Sequence, residues 1–163
     1  MLRALTLAVL VTLPFTLTAC DSSSSNGGSN PVTQVRITGA SLIDLAFTRP
    51  DGSDWDGLTA GGPDVYLKIL INDVEVRNTQ DDDDLDNLTV TDLPRTFNFG
   101  SPQVLSNLSQ TLKIEVWDDD GSTDERIAEF APVPIQTIAS TANPTYNLTD
   151  GTTSVRLTLA YTR

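Results

Sequence analysis

The stretch Leu112-Lys113-Ile114-Glu115-Val116-Trp117-Asp118-Asp119-Asp120-Gly121-Ser122-Thr123-Asp124-Glu125-Arg126-Ile127-Ala128-Glu129-Phe130 decides how the chain is read. Leu112, Ile114 and Val116 alternate with Lys113, Glu115 and Trp117, the period of a half-buried strand. The strand runs into five carboxylates between residues 118 and 125 and a glycine turn, and a second apolar run, 127–130, leaves. Carboxylates crowded on one loop repel one another, increasingly so as they approach. A hard divalent cation with oxygen ligands relieves that repulsion, and calcium accepts many oxygens in flexible geometry. A solvated acidic loop has the same composition, so the position of the other carboxylates has to separate the two readings.

Outward from this stretch, residues 32–163 show short alternating runs, turn residues and no helical period. Strands are expected at 32–37, 42–47, 64–71, 74–79, 95–99, 111–117, 126–133 and 153–161. Asn72-Asp73 forms a tight turn, and a helical turn is expected around 104–108. Eight such strands read as an antiparallel β-sandwich. If they run alternately up and down, the loops 49–63, 80–94 and 118–125 share one pole. Those loops, with Asp64 at the exit of the first, carry fifteen of the chain's 22 acidic residues. They are Asp51, Asp54, Asp56 and Asp64; then Asp81, Asp82, Asp83, Asp84, Asp86 and Asp92; then Asp118, Asp119, Asp120, Asp124 and Glu125. Charge gathered at one pole destabilises a fold by self-repulsion unless cations neutralise it, whereas charge kept for solubility has no reason to choose a pole.

The first nineteen residues do not belong to this domain. Arg3 precedes an uncharged, mostly apolar run over 4–18, and Leu17-Thr18-Ala19-Cys20 ends it: the pattern of a secretory leader. Its last four residues resemble the bacterial lipobox, after which the cysteine is lipidated. Cys20 is the chain's one cysteine, so no internal disulfide forms. Several acyl chains would hold the mature protein on a membrane. The polar segment up to residue 31 serves as a tether, with a reach of roughly 20 Å. The expected organisation is a leader at 1–19, a lipidated cysteine and tether at 20–31, and a sandwich at 32–163. This puts the protein in a bacterial cell envelope, periplasmic or surface-exposed, with the choice of membrane open.

The net charge is −12 and there is no histidine among the 163 residues. Nucleic acid is excluded as a partner, because phosphate binding needs clustered Lys and Arg. Without histidine, and with the thiol committed to lipid, His-assisted nucleophiles and Cys/His zinc sites are excluded, and no enzyme is expected. Paired carboxylates serve glycosidases, but a loop cluster without a walled cleft suits a metal better. Asp54-Trp55-Asp56-Gly57 and Asp118-Asp119-Asp120-Gly121 imitate part of an EF-hand, yet lack its closing Glu and flanking helices. Trp55 and Trp117 are the candidates for touching a membrane or sugar, and packing against neighbours competes for both.

The arrangement resembles the C2 domain, the eight-stranded sandwich of calcium-dependent phospholipid-binding proteins. Asp64-Val65-Tyr66-Leu67-Lys68-Ile69 is similar to the family's Asp-Pro-Tyr-Val-Lys-Val. Val116-Trp117-Asp118-Asp119-Asp120 matches its Val-x-Asp-x-Asp, and Ile127-Ala128-Glu129-Phe130 its Ile-Gly-Glu-Phe. Leu93-Pro94-Arg95-Thr96-Phe97-Asn98-Phe99 looks like its second-loop segment. The resemblance implies calcium ligands at Asp64, Asp118 and Asp120. It implies a further one at Glu125, with Asp124 as competitor, and a first-loop ligand at Asp56 or Asp54. Val65 replaces the family's proline and Ala128 its glycine, and the Lys-rich stretch that reads phosphoinositides is reduced to Lys68 and Arg77. The run Asp81–Asp84 matches no family ligand. The implied function is a lipid-anchored, calcium-binding module that engages phospholipid head groups or an envelope protein. A structural or adhesion module in which calcium stiffens the loops, or a carbohydrate-binding sandwich, are the alternatives.

Overall fold

A computed structural model describes residues 30–56, 61–80, 85–121 and 123–163. The expected leader, the lipidated Cys20, most of the tether and the run Asp81–Asp84 lie outside the described residues. Among the described residues, nine strands and one short α-helix, besides a single 3-10 turn at Val90–Asp92, follow in the order β1 (Gln34–Asp44), β2 (Val65–Ile71), β3 (Val74–Asn78), β4 (Arg95–Leu105), β5 (Thr111–Asp118), β6 (Glu125–Glu129), β7 (Val133–Pro134), α1 (Ile135–Thr141), β8 (Thr145–Thr149) and β9 (Ser154–Thr162). One sheet has the order β4-β1-β9-β8, the other β3-β2-β5-β6 with β7 also on β5, and every pairing is antiparallel. The protein is an all-β sandwich, as expected, with nine strands where eight were read.

The difference in count has a local cause. The runs 32–37 and 42–47, read as two strands, are one strand. The register of β1 slips between Ile37 and Gly39 against both neighbours. Val35 and Ile37 face the core before the slip, Ala40 and Leu42 after it, all fully buried. A bulge inserts one residue and so flips the side-chain parity, which in the sequence looks like an ending and a fresh start. Strand β4 likewise runs on to Leu105 where a helical turn was expected. Gly100, at φ 50°, and Pro102 interrupt its alternation, and a strand at the sheet edge tolerates a residue without an N–H.

The link between 130 and 153 holds three elements that the sequence did not announce, β7, α1 and β8. In α1, Ile135, Ile138 and Ala139 are buried at the i, i+3, i+4 spacing that puts them on one face. The helix rests against β1 and β7 and covers the sandwich end opposite the acidic loops. In β2 and β5 the inward face follows the expected alternation. Val65, Leu67 and Ile69 of β2 and Ile114 and Val116 of β5 are fully buried between the sheets. Asn72 and Asp73, both left-handed (φ 50° and 62°), form the β2–β3 hairpin turn. The described parts of the three acidic loops thus follow β1, β3 and β5 and lie at one pole.

Candidate metal centre

The inward parity of β5, set by Leu112, Ile114 and Val116, carries on to its last residue, so Asp118 points between the sheets at the acidic pole. It is fully buried, an unusual place for a carboxylate. One of its oxygens, Oδ1, accepts the Asp64 N–H at 2.8 Å, and the Asp119 N–H donates to the Asp64 carbonyl at 2.8 Å. The β2–β5 ladder therefore extends past its last residue pair and brings the entry of β2 against the exit of β5. The other oxygen of Asp118, Oδ2, is buried with no hydrogen-bond partner. A buried acceptor left unpaired is costly, and a charged one more so.

Carboxylate oxygens of Asp56, Asp118 and Asp120 lie within 4.8 Å of one another. Asp56 comes from the first loop and Asp120 from the third. Burial pushes the Asp118 carboxyl up to about 7, and the charges of Asp56, Asp120 and Asp64 push it the same way against the Asp64 N–H. Asp56 is raised too, first by burial and then by Asp64 and Asp120, while Arg49 opposes. Asp64 turns Oδ1 to the Asn87 N–H at 2.6 Å. Asp56, Asp64, Asp119 and Asp120, with Gly61, Asn87 and Gly121, line an open cleft of about 500 Å³ above the buried Asp118. The donor set is all oxygen and anionic, which fits a hard cation such as calcium and not a thiol- or imidazole-seeking one.

The remaining expected residues lie elsewhere. Glu125 stands outside the cluster because its carboxylate forms an ion pair with Arg49. Asp124 accepts the Tyr66 hydroxyl at 2.7 Å and the Gln80 amide at 3.4 Å, on the outer side of the β2–β5 sheet. Between the two alternatives in the first loop, the cluster takes Asp56; Asp54 is exposed and makes a backbone bridge with Thr48. Trp55 is buried and donates its ring N–H to the Ala46 carbonyl at 2.6 Å. Trp117 stacks on Tyr66 with ring centres 6.5 Å apart, lies under the Lys68 ammonium at 4.1 Å and donates to Glu115. Both tryptophans are thus engaged in packing and cation–π contacts.

Residues that carry no carboxylate shape the pole as well. Gln80 donates to Asp119 at 2.9 Å, and this bond, with the Gly121 N–H, holds Asp119 below the usual carboxylate range. Burial, then the bond to Asp124, drives the Tyr66 phenol upward. Neither role is visible in a sequence, since the partners lie far apart along the chain.

The second loop is sewn to the start of β2. Val65 and Leu85 exchange both backbone bonds at 2.9 Å, and the Leu88 N–H donates to the Pro63 carbonyl at 3.0 Å. Two glycines make this approach possible. A Cβ on Gly62 would sit 1.5 Å from the Leu88 carbonyl oxygen, and one on Gly61 would sit 2.0 Å from Asn87 Oδ1. The second clash is with a side-chain end that can turn away; the first is with backbone and cannot. Gly62→Ala is therefore expected to lower stability by about 2 kcal/mol or more in chemical denaturation. An unchanged midpoint would mean that the two loops are not packed in this way.

No family model and no curated protein matches the sequence. Solved structures do match the fold. A structure described as that of a C2 domain superposes with a TM-score of 0.51 at 15% identity, covering 80% of this chain and 98% of that one. The first C2 domain of a plant extended synaptotagmin 1 gives a TM-score of 0.50 at 14% identity, covering 82% and 96%. The paired C2 domains of extended synaptotagmin 2, in their calcium-bound state, give 0.56 at 17%, covering 81% of this chain and 46% of that one, so the chain spans about half of that two-domain protein. The chain carries a C2-like β-sandwich module.

Proposed function

We propose that the module binds calcium between its first and third loops through Asp56, Asp118 and Asp120, with Asp64 beside them. The bound ion would then let the acidic pole engage the phosphate of a phospholipid head group. The observation that carries this reading is Asp118: a fully buried carboxylate whose Oδ2 has no partner, with two further carboxylates close by. A protein gains nothing from burying such a group for solubility, and a cation removes both the repulsion and the missing bond. The calcium-bound state of the extended synaptotagmin 2 domains supports the choice of ion. Without a cation the pole repels anionic lipid; a bound cation would supply the positive charge that phosphate oxygens seek. Cys20 would keep the module at a membrane as a lipid anchor, and the role of the protein would be one of binding, not catalysis.

Calcium titration with a thermal-shift readout tests the first half. A midpoint that rises with calcium is expected, by about 2.7 kcal/mol of added stability at a hundredfold excess over the dissociation constant. No shift up to millimolar calcium removes the proposal. The second half is tested by sedimentation with phosphatidylserine vesicles, using the full chain with Cys20→Ser so that no acyl chain is attached. Pelleting that requires calcium supports head-group recognition. Calcium binding without pelleting leaves the structural reading, in which the ion stiffens the loops.

A further inference from the structure

Glu125 lies directly across the ladder from Asp118, where the side chains of a paired couple project to the same face about 5 Å apart. An ion shared between the two strands would find it within reach, yet Glu125 is committed elsewhere. Arg49, in the first loop, pairs with it through Nη2. The same nitrogen donates to the Trp55 carbonyl at 2.5 Å, and the guanidinium lies 5.6 Å from the centre of the Trp55 ring. Trp55 is itself buried and tied to Ala46. Arg49 is thus held by a carboxylate, a carbonyl and an aromatic face, unlike a surface arginine that samples many partners.

The other third-loop carboxylates outside the cluster, Asp119 and Asp124, are held by Gln80 and Tyr66. A neutral donor leaves a carboxylate its charge and its ability to ligate. A guanidinium does not, because a cation brought to Glu125 would sit against a fixed positive charge. Among the described residues, Asp56, Asp118 and Asp120 form the one group of three carboxylates close enough to share an ion. The Arg49 charge is felt there as well, at Asp56.

We infer that the centre takes a single divalent cation, and that the Arg49 guanidinium, seated on Glu125, stands in for a second one. This rests on the calcium reading proposed above and adds the number of ions and the residue that limits it. The arrangement supplies part of the neutralisation at all calcium concentrations and confines the response to one binding event. Arg49 acts as a positioning and specificity-determining residue, with no part in ligating the ion.

Isothermal calorimetry of calcium chloride into the full chain tests the inference, with circular dichroism to confirm folding of each variant. The unmodified chain is expected to bind one calcium. Glu125→Gln should weaken that dissociation constant by less than about tenfold, since Glu125 is no ligand and only the loss of its charge beside Arg49 is felt. Arg49→Gln, which frees Glu125 while keeping a long polar side chain, should raise the stoichiometry from one to two. Two ions on the unmodified chain, a tenfold or larger weakening in Glu125→Gln, or a folded Arg49→Gln that still binds one, each overturns the inference and leaves calcium binding standing. No heat from the unmodified chain overturns the functional reading and this inference together. If Arg49→Gln does not fold, the unmodified chain and Glu125→Gln still decide whether Glu125 ligates a second ion.

Discussion

Asp118→Asn is expected to move stability in opposite directions depending on whether calcium is present. Without calcium the variant should be more stable than the parent. In the parent, ionised Asp118 is buried with one oxygen unpaired and other carboxylates close by. The amide keeps the Oδ1 acceptor for the Asp64 N–H and puts an NH₂ donor in place of the unpaired Oδ2, beside the carboxylates of Asp56 and Asp120. Removing a buried, uncompensated charge should add about 2 kcal/mol, roughly 5 °C in the melting midpoint of a domain of this size. With calcium the order reverses. The amide contributes no charge and at best one neutral ligand, so the calcium-dependent rise should disappear and the parent should melt higher. Asp120→Asn separates burial from ligation. Asp120 is exposed, so its loss should change the calcium-free stability by no more than about 0.5 kcal/mol while still weakening the ion. Differential scanning fluorimetry of the three proteins, in chelator and in millimolar calcium, checks all of this. Asp118→Asn destabilised in chelator would mean that the carboxylate is compensated in the fold and that the cluster needs no cation.

The fold class was legible in the sequence because most of the strands keep a clean two-residue alternation between turn residues. The inward sets of β2, β5 and β9 could be named directly. What escaped has one cause: alternation is a local signal, and three features break it without ending a strand or needing one. The bulge after Ile37 reverses the phase of β1. Gly100 and Pro102 interrupt β4. The helix α1 is only seven residues long and is bracketed by prolines. Splitting β1 shifted every later strand by one, so the three acidic loops still fell together despite the miscount. The entry of β2 at Asp64 and the exit of β5 at Asp118 meet at that pole because ladder register and strand parity, both readable from the alternation, set their positions. The carboxylate group itself joins Asp118 to the loop residues Asp56 and Asp120 and leaves Asp64 beside it. Glu125, although it opens β6 directly opposite Asp118, does not join them, since its carboxylate answers to Arg49, a partner no pattern names. Arg49, a lone cation at the edge of an acidic loop, was the signal available for that ion pair. Tyr66 and Gln80 left none.

Stability without calcium should fall as the pH rises from about 4 to about 7, the reverse of what paired surface carboxylates produce. Asp118 has its folded titration pushed up to about 7 from 3.8. Below about pH 4 it is protonated in both states and exerts no penalty. Between the two values the unfolded chain gives up its proton while the folded chain keeps it, so the folded state binds more protons and loses stability with each pH unit. Above about pH 7 both forms are ionised and the penalty is complete, at most about 4 kcal/mol. Asp56, also raised, acts with the same sign. Asp51, Asp92 and Asp119 are lowered, but they lie on the surface, where the effect is screened, and their contribution is complete once the pH is above about 4. Calcium flattens the slope. Proton and ion compete for the same carboxylates, so raising the pH strengthens binding and offsets the penalty. Stability should stay level between pH 5 and 7 in saturating calcium, where neither the unfolded chain nor the calcium-bound fold holds the proton. Melting midpoints measured from pH 4.5 to 8 should therefore fall by on the order of 10 °C in chelator and stay level in calcium, the two curves diverging as Asp118 ionises. Parallel curves would mean that the proton and the cation do not share this carboxylate.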